Sequence, residues 1–386
     1  MITPPALPER LDAELGAVVG DLLRAATDAA TAPVRPSDPP RPAVPGAVAV
    51  VAHRGTVVAR ARSGYAELFD ADGALLPEAL RRPVGDVFDL ASLTKLLTTT
   101  AALVQVDAGA LDLDAAVADV VPEFADAAAD GPARGRVTVH HLLTHTAGLP
   151  DVLDLWRTDG DRAARAHRVL AAPLLSEPGT THRYSCVGFL VLGLLLERLT
   201  GLDLPALLAT TVTGPLGMTS TGYSVAPGAV AAATEHQVDP PRGMVRGAVH
   251  DEAAWALGGA GNAGVFSTAE DLVRLGEMVR AGRPALLSGR ARALLRTNVL
   301  GPEETARVGY GQALGFRVGD ASALGEADPT AIGHTGFTGT SVVVDPPNDL
   351  VVVLLTNRVH PARTAFDVGP LRVGVARAAR EWAGRH

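Results

Sequence analysis

A chain of 386 residues with 42 acidic against 34 basic side chains, a net charge of −8, carries no electrostatic footprint for nucleic acid. Its 47% apolar and 20% charged content supports a sizeable core in one large domain or two intergrown ones, and excludes wholesale disorder and collagen-like repeats. The longest apolar run, residues 186–196, falls short of the roughly 20 residues that span a bilayer, so no membrane helix is expected. Residues 1–10 hold no basic region followed by an apolar stretch, which makes a cytoplasmic protein the expectation. Cys186 is the only cysteine, so neither an intrachain disulfide nor a cysteine-based metal cluster is available.

Residues 9–30 place Leu11, Leu15, Val18, Val19, Leu22 and Leu23 at helical spacing and predict an amphipathic helix. Residues 32–45 follow with six prolines, which cannot continue a helix or a central strand and read as a stiff, extended connection. The β-rich runs 47–51 and 56–61, separated by Ala52-His53-Arg54-Gly55, predict a hairpin. Between residues 92 and 273 the pattern is mostly helix and loop, with clearer helices at 92–106, 138–143, 186–199 and 203–210. Strands are predicted again at 313–318, 339–345 and 350–356, and a closing helix near 370–382. Strands from the two ends of the chain can pair only if the helical block is inserted into their sheet. The expected fold is therefore α/β (α+β), an antiparallel sheet flanked by terminal helices, with a cleft where the insertion joins it. The expected division is an N-terminal helix and linker at 1–45 and a main domain at 46–386. Within that domain the sheet takes 46–90 and 300–386, and the helical insertion takes 91–299.

Lys95 is the only lysine; every other basic residue is arginine. A chain that uses arginine wherever arginine serves keeps a lysine where guanidinium does not. A buried amine can lose its proton and act as a base, and guanidinium cannot. Against this stands the bland reading of a drifted surface charge. Ser92 lies three residues earlier at a predicted helix start, so Ser92 and Lys95 share one face. An amine in reach of a hydroxyl can take its proton as the serine attacks a carbonyl, which is the chemistry of covalent acyl transfer.

Two further segments carry chemistry. Tyr184-Ser185-Cys186 sets one of four tyrosines ahead of an apolar helix, as a phenolic acid or base or as an ordinary half-buried ring. Gly333-His334-Thr335-Gly336-Phe337 opens a β-rich run whose glycines permit close backbone approach to a ligand. In this order the three segments resemble the serine β-lactamase and penicillin-binding-protein superfamily, specifically its class C β-lactamase-like esterases and transacylases. The motifs there are S-x-x-K, Y-x-N and K-T-G or H-T-G. Residues 141–150, 215–218, 266–269 and 336–340 are similar to that family's connecting segments, so the likeness covers roughly residues 46–360. The resemblance implies a β-lactamase/DD-peptidase-like fold with Ser92 as nucleophile, Lys95 as its base and Tyr184 as the carrier of the leaving-group proton. It also implies His334 in place of the K-T-G lysine, an oxyanion hole from the amides of Ser92 and Phe337, and a substrate aligned along Thr335 and Gly336. No cofactor or metal is implied, and the partner is a small acyl substrate.

The chain departs from this pattern at Cys186, where Y-x-N has an asparagine. A thiol lacks the carboxamide that holds a substrate amide, and a neutral His334 would bind a carboxylate less well than lysine. Both changes favour an ester or an uncommon amide over a β-lactam. Cys186 is itself either a second nucleophile or, as free cysteines more often are, a small buried hydrophobe. Hydrolysis of the acyl-enzyme is the first expectation, transfer to an amine, alcohol or thiol the second, and a non-catalytic binding relative the third. Competing signals are weak. Gly259-x-Gly261-x-x-Gly264 matches a dinucleotide loop without a clear preceding strand. His140, His141 and His145 lack the glutamate of a zinc helix, and no serine stands in G-x-S-x-G. Trp156 either lines the cleft or packs in the core.

Overall fold

The computed structural model describes residues 6–34, 38–126, 131–324 and 330–386. Residues 35–37 of the proline-rich stretch lie outside them. The first helix, α1 (Ala13–Asp28), is capped by the Asp12 side chain, which accepts from the Leu15 N–H at 2.8 Å. Its buried stripe is Leu15, Val19 and Leu23, one residue per turn, while Leu11 and Val18 face solvent.

The hairpin pairs β1 (Gly46–His53) with β2 (Thr56–Glu67) through Arg54 and Gly55, both at positive φ, the conformation that a tight two-residue hairpin turn requires. The chain continues through β3 (Arg82–Pro83) to the helical region, where α2 (Thr94–Asp107), α3 (Cys186–Thr200) and α4 (Ala269–Ala281) are the longest helices among the described residues. That region also carries a short β-ribbon, Ala233–Gln237 with Gly243–Arg246. The chain then returns to the sheet as β4 (Gly311–Gln312), β5 (Arg317–Val318), β6 (Ile332–Thr335), β7 (Ser341–Asp345) and β8 (Leu350–Thr356), and closes with α5 (Gly369–Ala383). Of the run predicted as a strand over 313–318 only Arg317–Val318 is strand; residues 313–316 are the turn between β4 and β5, where Gly315 at φ +69 reverses the chain.

All neighbours in the resulting sheet are antiparallel, in the order β3-β2-β1-β8-β7-β6-β5-β4. The first strands therefore meet the last ones, β1 lying on β8 with Ala47 opposite Thr356. Both faces of the centre are covered. Ala47, Ala49 and Val51 of β1 pack with α1 and α5, whereas Val48, Val50 and Ala52 join the core beneath the helical region. This double burial explains why these strands read as unbroken apolar runs instead of alternating ones. On the inner face α4 lies so close that a Cβ on Gly276 would stand 2.5 Å from Val351. On either side of residues 35–37, Val34 and Ala43 join a small cluster around Phe69 and Phe366. Among the described residues no helix is long and apolar enough to cross a membrane.

Candidate active site

Ser92 sits in a single 3-10 turn, Ala91–Leu93, that leads directly into α2. The turn is held by Asp89, whose buried carboxylate accepts from the Ala91 N–H at 2.7 Å and the His250 N–H at 2.6 Å. Burial pushes the Asp89 carboxyl up to about 6, so it is still ionised at neutral pH. Ala91 adopts φ +46, a left-handed conformation that costs an alanine about 1 kcal/mol and persists only because its surroundings impose it. The result presents the Ser92 hydroxyl at the mouth of the helix.

Lys95 is fully buried one turn below. Its Nζ donates to Ser92 Oγ at 2.9 Å and to the Asn262 carbonyl at 3.1 Å, and lies 3.5 Å from Cys186 Sγ. Burial pushes the amine down, while the negative forms of the Cys186 thiol and the Tyr184 phenol push it up, and the balance is upward. The amine, the Ser92 hydroxyl, the thiol and the phenol ring thus form one cluster of neighbours.

Tyr184 reaches the same point from the start of α3. Its neighbour Ser185 caps the helix by accepting from the Gly188 N–H at 2.9 Å, and gives its own N–H to His145 Nδ1 at 3.1 Å. That bond places the His145 proton on Nε2. The Tyr184 ring lies 4.6 Å from the His145 ring, 5.0 Å from Lys95 Nζ and 5.2 Å from the Arg317 guanidinium, centroid distances that put two cations beside the phenol.

The third element is the edge after β6. Thr338 Oγ1 donates to the Asp89 carbonyl at 2.8 Å and Thr340 Oγ1 to the Leu90 carbonyl at 3.0 Å, so this edge is bolted to the Ser92 turn. Gly336 is required there, since a Cβ would stand 2.5 Å from the Leu90 carbonyl. Arg358 donates to the Phe337 carbonyl at 2.9 Å, and Arg372 to the Gly336 and Thr340 carbonyls at 3.2 and 3.1 Å.

Ser92, Tyr184, Thr335, Gly336 and Phe337 line one cavity of about 320 Å³. Cys186 lines a neighbouring chamber of about 500 Å³ together with Trp156 and Asn262. His334 lines neither. Its ring is buried, Nδ1 donates to the Thr335 carbonyl at 2.8 Å, and burial aided by the Arg317 and Lys95 charges holds it well below the usual imidazole range, hence neutral. The cations facing the first cavity are instead Arg317, Arg358 and Arg372. Sequence reasoning missed these three, since nothing local separates them from other arginines, and it missed His145 and Asn262 as neighbours of the site.

The competing signals have structural roles. The Gly259–Gly264 segment follows a helix, Glu252–Leu257, and packs on α2 and α3, where Thr98 Oγ1 donates to the Gly261 carbonyl at 2.9 Å. His141 accepts from the Thr138 N–H in a helix cap.

An antiparallel sheet interrupted by helices, with a serine beside a buried lysine in the cleft between them, defines the class of β-lactamase-like serine hydrolases. The sequence profile of the Beta-lactamase family matches residues 23–376, and the chain belongs to that family. An N-acetylmuramyl-L-alanine amidase of Bacillus subtilis (strain 168) is 31% identical over 353 residues, 82% of this chain and 78% of its own length. A putative D-alanyl-D-alanine carboxypeptidase of Salmonella typhi is 30% identical over 332 residues, 77% of this chain and 75% of its own. Among solved structures, EstCE1, described as a hydrolase with promiscuous acyltransferase activity, superposes with a TM-score of 0.74 at 27% identity, covering 95% of this chain and 98% of its own.

Proposed function

We propose that the protein hydrolyses an ester or amide through an acyl-enzyme on Ser92. The observation that carries this reading is the 2.9 Å bond between the buried Lys95 amine and Ser92 Oγ at the edge of a cavity. Ser92 Oγ attacks the carbonyl carbon, and its proton passes to the Lys95–Tyr184 unit. The carbonyl oxygen takes the negative charge and accepts from the Ser92 and Phe337 N–H groups, which Thr338, Thr340 and Arg358 hold in place. Tyr184 returns the proton to the leaving group, the carbonyl re-forms and the acyl-enzyme remains. Water then attacks the ester carbon, gives its proton to the same unit, and Ser92 Oγ leaves with it.

Esters and uncommon amides are favoured over β-lactams, since Cys186 supplies no carboxamide to hold a substrate amide. A cytoplasmic setting belongs to the proposal, because a free thiol 3.5 Å from the amine would be kept reduced there. Transfer to an added acceptor is the second reading, favoured by the acyltransferase activity described for EstCE1.

Intact-protein mass spectrometry with p-nitrophenyl acyl esters, with and without an added amine, tests both. A Ser92 adduct that decays to free acid supports hydrolysis, and faster decay to an N-acyl product supports transfer. Absence of any adduct from wild type across a range of esters points to the non-catalytic relative.

A further inference from the structure

The chamber of about 500 Å³ beside the nucleophile carries charge of the opposite sign to the cavity over Ser92. Its charged side chains are five carboxylates against two guanidiniums, whereas the cavity over Ser92 holds three guanidiniums and one carboxylate. Within the chamber Glu235 and Glu252 share Arg363 at 2.6 and 2.5 Å, and Asp239 pairs with Arg157. Asp154 and Asp251 have no ion pair among the described residues.

At its inner end stands Asn262, 1% exposed, whose main-chain carbonyl accepts from Lys95. Its side-chain nitrogen lies 3.3 Å from Asp251 Oδ1. A carboxylate only accepts, so the amide orientation is settled: the nitrogen faces Asp251 and the oxygen is the free atom. That oxygen, Oδ1, is buried without a partner among the described residues. A buried acceptor of this kind needs a donor from whatever fills the space.

We infer that this chamber is the acyl-side subsite and that it selects an acyl group bearing an ammonium, with an N–H given to Asn262 Oδ1 and the positive charge facing Asp251 and Asp154. The inference rests on the acyl-enzyme reading above. Tyr184, which hands the proton to the leaving group there, faces the positive cavity, and this leaves the acidic chamber for the acyl side. A substrate carrying both charges would then bind in one direction only, its anionic end toward Arg317 and Arg372.

The test compares kcat/KM for p-nitrophenyl ε-aminocaproate with that for p-nitrophenyl heptanoate, where a methyl replaces the ammonium. The wild-type ratio is expected to reach at least about tenfold, the scale of a hydrogen bond to a charged group. Asp154→Asn, an exposed and unpaired position that leaves folding alone, should lower that ratio about threefold, and more at low salt than at high. Asn262→Leu should lower it further. A wild-type ratio of one or less, or a ratio unmoved by both variants, overturns the subsite while leaving the acyl-enzyme intact. Failure of both esters and of a fluorophosphonate to label Ser92 overturns the acyl-enzyme reading, and the subsite with it.

Discussion

Lys95 Nζ meets Ser92 Oγ at 2.9 Å because the two residues lie one helical turn apart, on either side of the junction between a 3-10 turn and α2. The amine is buried and the hydroxyl faces the cavity, so a proton can leave the serine without passing through solvent.

Lys95→Arg should therefore lose acylation by about a thousandfold, nearly as completely as Ser92→Ala, since guanidinium stays protonated and does not take part in proton sharing. Burst kinetics with a p-nitrophenyl ester read this directly. Wild-type bursts in Lys95→Arg would remove lysine from the proton path.

Cys186 is the only thiol and lines the chamber next to Lys95. Alkylation with iodoacetamide should abolish turnover of p-nitrophenyl esters by blocking the acyl side, while Cys186→Ala keeps at least about a tenth of the activity and resists the reagent. Equal sensitivity of Cys186→Ala to iodoacetamide would place the inhibition elsewhere, and a dead but folded Cys186→Ala would make the thiol itself part of the chemistry.

Gly336→Ala should cost about a hundredfold in kcat, because the added methyl pushes the strand edge away from the Leu90 carbonyl and carries the Phe337 amide with it. The KM of a small ester should change far less. A uniform loss of stability with kcat intact among the folded molecules would show that the edge tolerates the shift.

Acid should unfold the protein early. Burial holds His250 and His360 down to about 4, and His145 and His334 well below the imidazole range. These rings stay neutral in the fold and take up protons near the ordinary value of about 6.5 once unfolded, so their stability is complete above that pH and is lost as pH falls toward 4. Asp89 opposes them by one proton: its carboxyl, raised to about 6, protonates in the fold before it does in the unfolded chain. Urea unfolding between about pH 6.5 and 5 should show stability falling by roughly 3 kcal/mol per pH unit. A flat profile would mean that these rings are solvated and titrate normally.

Much of this protein was legible in the amino-acid order because the physics behind it is local. The Ser92 and Lys95 pairing follows from helical spacing, the reversal at Arg54 and Gly55 from turn geometry, and the pairing of the first strands with the last from the need to bury two apolar runs that no neighbour in sequence could cover. Tyr184 and the Gly336 edge were legible through their likeness to a family's motifs. Only the tertiary structure decided that His334 turns inward against its own strand, that Arg317, Arg358 and Arg372 supply the positive charge of the cavity, and that Asn262 brings a carboxamide beside the thiol. Those roles depend on how elements distant in the sequence pack together, and a charge or an amide takes its chemical meaning from the partners and the burial that this packing imposes.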